Sequence, residues 1–124
     1  MDALAKRLFA GESDVEPGPL TPAGGWRLLD GKNLTGALRF SADAAAKAGR
    51  YGFFAFRLEG RGVFEGIYNV KPSGERLLGV FWPDGKLNRG AAAGFLELEA
   101  QPGGGAAGSL TFALGGSVEG LKAR

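Results

Sequence analysis

The sequence predicts a mainly β protein, a single antiparallel sandwich or barrel of about 6–8 short strands. Three observations carry that expectation. Apolar and polar residues alternate with period two through most of the chain after Tyr51, the pattern of strands buried on one face. Clusters of Gly, Pro, Asp and Ser separate the alternating runs at intervals of a short strand, as in sandwiches and barrels. Glycine reaches 23 of 124 residues, with only 6 prolines and no G-X-Y period, so the excess reads as turns rather than collagen.

Residues 2–10 read as a short helix. Leu4, Leu8 and Phe9 share one side, Lys6 and Arg7 turn away, and Gly11 is a natural left-handed stop. A helix of this length is marginal alone and must dock on something, so Leu4, Leu8 and Phe9 are candidate contact residues. Residues 11–25, GESDVEPGPLTPAGG, combine three prolines with four glycines and read as an arm or linker. The organisation expected is therefore a helix over 1–10, an arm over 11–25 and a β domain over 26–124.

Within that domain, Trp26 and Leu28 alternate before the turn signal Asp30-Gly31, and Leu38 and Phe40 alternate after it. Ser41 then suits a helix N-cap, the alanines that follow favour helix, and Gly49 would end it, so one small inserted helix is expected. Phe54, Phe56 and Leu58 form the next inward set, followed by Phe64, Tyr68 and Val70. Leu78, Val80 and Trp82 alternate in turn, then Leu96 and Leu98 against Glu97 and Glu99, and last Leu110, Phe112 and Leu114. The strings KPSGERLLGV and WPDGKLNRG place Pro-Ser-Gly and Pro-Asp-Gly on either side of residues 77–82. Both read as corners, because Pro presets φ, Ser or Asp bonds locally and Gly accepts positive φ.

The segment GWRLLDGKNLTG resembles the opening strand of LamG-like sugar-hydrolase domains, which begin with leucine and then D-G-K-x-L-x-G-W. Ala37 stands where that pattern has its final tryptophan. The likeness spans about a dozen residues, and no active-site residue is carried over from it.

Composition narrows function chiefly by exclusion. The chain has neither histidine nor cysteine, which removes Cys/His zinc sites, Ser-His-Asp and Cys-His nucleophilic systems and disulfides. An enzyme is not expected, and neither a cofactor nor a metal is implied. Glu97 and Glu99 lie i, i+2 on one strand face, about 6.5–7 Å apart, a spacing that glycosidase carboxylates also use. Cross-strand pairing with Arg or Lys is the plainer reading. Fifteen cations against thirteen anions give no concentrated basic footprint for nucleic acid. The N-terminus lacks the pattern of a secretory signal and no apolar run approaches a membrane span, so a cytoplasmic or virion-type location is expected, with no membrane partner.

The function expected is a structural or assembly subunit, self-associating into a homo-oligomer or larger assembly such as a virion, shell or appendage. Phe53, Val63, Ile67 and Phe81 fall opposite the inward set, which implies a second buried face. With Leu4, Leu8 and Phe9 they are the interface candidates. Two alternatives use surface aromatics. Trp26, Trp82, Tyr51 and Tyr68, aided by Arg57, Arg61 and Arg89, could hold a sugar or small ligand, with Trp26, Trp82, Tyr68 and Arg89 the leading candidates, or stack bases of single-stranded nucleic acid on a β-barrel.

Overall fold

The computed structural model describes residues 4–15, 17–30, 33–42, 51–71 and 75–124. Helix α1 (Leu4–Phe9) precedes eight strands: β1 (Trp26–Asp30), β2 (Asn33–Ala42), β3 (Tyr51–Leu58), β4 (Gly62–Val70), β5 (Arg76–Pro83), β6 (Gly94–Ala100), β7 (Ala106–Phe112) and β8 (Ser117–Ala123). Each strand pairs antiparallel with the next, and β8 pairs back onto β1. The result is a closed up-and-down barrel, which decides between the two architectures the sequence allowed. Arg27 and Arg124 exchange both backbone hydrogen bonds at the seam, at 2.8 and 3.0 Å. Closure leaves no unpaired edge for another chain to extend. The expected inserted helix at 41–49 falls mostly outside the described residues, but Ser41 and Ala42 themselves continue β2. The Asp30-Gly31 and Pro72-Ser73-Gly74 turns also reach beyond them.

An eight-stranded barrel is just wide enough for side chains to fill, and register explains how they do so. Directly paired residues run Phe54, Gly66, Phe81, Gly94, Phe112 across β3 to β7. Rings alternate with glycines around the wall, so each large side chain crosses the interior over a position that has none. A Cβ on Gly66 would meet the Phe54 ring at 2.6 Å, and one on Gly94 would meet the Phe81 ring at 2.6 Å. The adjacent row pairs Gly52 with Tyr68, Gly79 and Leu96. Phe56 lies at the centre of the ring cluster, 5.0 Å from Phe64 and 4.8 Å from Phe81, with Phe112 a further 5.3 Å from Phe81. These glycines sit inside strands and provide space rather than reversals.

The register also corrects three inward assignments. Leu78 and Val80 belong to the outer face of β5, while Leu77, Gly79 and Phe81 point inward. Almost every residue of Leu77–Trp82 is apolar, so period two could not choose a face. The glycines opposite Phe81 made the choice. Leu114, expected inside, lies beyond β7 and is 93 % exposed.

The arm covers one barrel end, and an arginine stands over an aromatic ring at the other. At one end the arm folds back: Leu20 is buried in the core, Trp26 donates its indole N–H to the Leu20 carbonyl at 3.0 Å, and Ser13 and Asp14 bond to Phe40 and Ser41. At the other, the Arg61 guanidinium lies 4.3 Å from the centre of the Phe112 ring, a cation–π contact that covers the last aromatic of the stack. Outside the barrel, α1 packs Ala5 and Leu8 on Ala55 of β3, with Leu4, Phe9 and Val63 around them. Arg57 and Arg39 reach over the Phe9 ring at 4.7 and 5.8 Å. Gly11, at φ 96°, ends the helical turn through a bond to the Leu8 carbonyl.

Candidate functional site

The packed interior directs attention to the outer wall. Beside the α1 footprint, the outward positions of β3 to β6 form a second apolar face. Phe53, Ile67, Val80 and Phe95 are directly paired across four strands. Tyr51, Asn69, Leu78 and Glu97 make the adjoining row, and Ala55, Glu65 and Trp82 the row on the other side. A groove of about 550 Å³ follows this wall, with Ile67, Leu78 and Val80 among its lining and Tyr51 and Phe95 beside them. Phe95 is 57 % exposed and Tyr51 50 %. Arg76 bonds to Glu97 at the rim, so the expected cross-strand ion pair is present for Glu97.

Trp82 forms one end of the groove, held by its indole N–H donating to the Gly90 carbonyl at 3.2 Å. The connection after β5 therefore does not turn directly into β6. It folds back along the outer wall, with Lys86 N–H on the Pro83 carbonyl and Arg89 N–H on the Lys86 carbonyl. The Leu87 amide donates to Glu65 Oε1 at 3.3 Å. Glu65 is only 2 % exposed, and its Oε2 has no hydrogen-bond partner among the described residues. A carboxylate on the outward face of a strand should be solvated. Here the loop, with Trp82 and its neighbours, covers it.

The candidate residues divide accordingly. Phe53 and Ile67 lie together on the outer wall. Phe81 does not join them, because it fills the barrel interior. Leu4, Leu8 and Phe9 pack on their own barrel and are not a free surface. Trp26 and Tyr68, proposed as surface aromatics, are interior residues: Trp26 abuts the arm, and Tyr68 meets Phe40 edge to face at 5.3 Å. Trp82 remains on the outside but buried, bonded to the Gly90 carbonyl of the loop on which Arg89 is exposed, while Trp26 and Tyr68 lie inside. Thus no aromatic platform forms from that set. Sequence reasoning misses Phe95 and turns Leu78 and Val80 inward, whereas Tyr51 is among the aromatics it names for a ligand. For Phe95 the signal was available, since it shares the parity of Glu97 and Glu99 and so had to face outward with them.

Among the described residues, no group of three or more acidic side chains is placed to hold a metal, and no helix is long and apolar enough to cross a membrane. The Tyr68 phenol is pushed up to about 12 by burial and by the nearby negative charge of Asp14. A phenol that binds its proton more tightly folded than unfolded stabilises the fold fully below the unfolded value near 10. That contribution falls as pH rises from about 10 to about 12. Alkaline melting of the wild type should therefore drop more steeply in this window than melting of Tyr68→Phe. Parallel pH profiles for the two proteins would contradict the assignment.

No family model, curated protein or solved structure matches this chain.

Proposed function

We propose that the protein is a non-enzymatic assembly subunit that associates with copies of itself through the outer wall of β3 to β6. The observation that supports this reading is the in-register apolar row Phe53–Ile67–Val80–Phe95 on a barrel whose interior is already filled. A closed barrel cannot recruit a partner by strand addition, so association has to use side chains on a face. Contiguous exposed apolar surface of this kind marks interaction sites.

A small-ligand module is the second reading. The groove volume lies within the range of ligand sites, and Tyr51 and Asn69 place polar groups beside its apolar lining. A single-strand nucleic-acid barrel has less support, since Trp26 and Tyr68 lie inside rather than on a stacking face.

Light scattering of the full chain over about 10 μM to about 1 mM, the range of weak association, tests the first reading. The mass is expected to rise above 12.8 kDa with concentration. Ile67→Glu places a charge at the centre of the row and should reduce association by at least about tenfold, with little change in melting midpoint. A mass of one chain throughout would refute the reading. Truncating residues 1–25 is a poorer test, because it removes Leu20 and α1 from the barrel itself.

A further inference from the structure

We infer that self-association is two-fold symmetric, with the exposed Phe95 ring of each copy seated in the groove of the other. The inference rests on the assembly reading and specifies its geometry. Phe95 projects from β6 at 57 % exposure directly beside a groove floored by Ile67, Leu78 and Val80. A projecting ring and a receiving groove on one patch are self-complementary. A two-fold axis needs this property, since residue i of one copy then meets j of the other and j meets i.

Size and charge favour a second copy as the occupant. The two outward rows left uncovered on the four strands span roughly 260 Å² from strand spacing and rise, about a third of the ~800 Å² per partner typical of stable complexes. The contact is therefore a weak, reversible one that closes at two chains. The rim carries both signs, Lys71 and Arg76 with Glu97, so two copies face each other without a field of one sign between them. A strongly charged partner finds no opposite field on this apolar floor.

Sedimentation equilibrium on the full chain tests the arrangement through complementation. Phe95→Ser removes the ring and keeps the groove floor of Ile67, Leu78 and Val80. Leu78→Asp places a charge on the apolar groove floor and keeps the ring. Each variant alone should dimerise at least about tenfold more weakly than wild type, while both retain melting midpoints close to wild type. Mixed in equal amounts, they should associate more strongly than either alone, because the mixed pair restores one of the two seats. Failure to recover on mixing, or an unchanged Phe95→Ser dimer, would overturn the seat while leaving self-association standing. Masses growing beyond two chains would overturn the symmetry. A monomeric wild type at about 1 mM would overturn both the seat and the assembly reading. Anilinonaphthalene sulfonate bound by that monomer, and lost in Leu78→Asp, would assign the groove to a small apolar ligand instead.

Discussion

Phe56→Ala is expected to lower the stability of the barrel by about 3–5 kcal/mol, the range for removing a fully buried aromatic ring. Phe56 has no exposed surface and touches three other rings: it is stacked with Phe54 and Phe64 and edge-on to Phe81. The two glycines flanking the neighbouring Phe81, Gly66 and Gly94, have no side chain to move into the space. The loss therefore includes a cavity as well as transfer of the ring to water. Urea unfolding with an unaltered slope and a lower midpoint would report it. An unchanged midpoint would mean that the ring alternation is not what fills this barrel.

The second large effect lies outside the strands. Leu20→Ala should cost about 2–5 kcal/mol, as for a buried leucine, although residue 20 belongs to a proline- and glycine-rich segment of linker composition. Its side chain is 2 % exposed within the main core, and its carbonyl accepts the Trp26 indole N–H. Were residues 11–25 a detachable connector, the substitution would leave the unfolding midpoint where it was. A loss of the expected size would make the arm part of the barrel, closing the end at which β1 begins. Hydrogen exchange at the first residues of β1 would separate local opening of that end from global destabilisation.

Much of the barrel was legible from residue order. Phe54, Phe56 and Leu58 alternate with Ala55 and Arg57, and β3 lies as that alternation requires, with one face on the core. The same holds for Leu96 and Leu98 in β6. In β5 alternation cannot choose a face, because Leu77 to Trp82 is apolar on both faces and a period of two has two equal solutions. The candidate site suffered most from this. With Phe81 assigned outward and Val80 inward, the row that actually joins Ile67 to Phe95 could not be assembled. Alternation places Tyr68 inward, as the barrel has it, and only the ligand alternative sets Tyr68 and Trp26 on a surface. Their polar atoms suggest a wet surface, but an indole N–H can be satisfied by a carbonyl such as that of Leu20.

Alternation within a strand, helix-stop and turn chemistry, and the lack of histidine and cysteine are local properties. They determined an all-β chain with a short leading helix and no familiar catalytic constellation. Closure into a ring, the pairing of Phe54, Phe81 and Phe112 with glycines on neighbouring strands, and the sealing of one end by Leu20 are relations between residues far apart in the chain. Sliding one strand by a single residue would turn its rings to water and its charges inward. Only the assembled sheet, where each face is chosen by what lies opposite, could decide them.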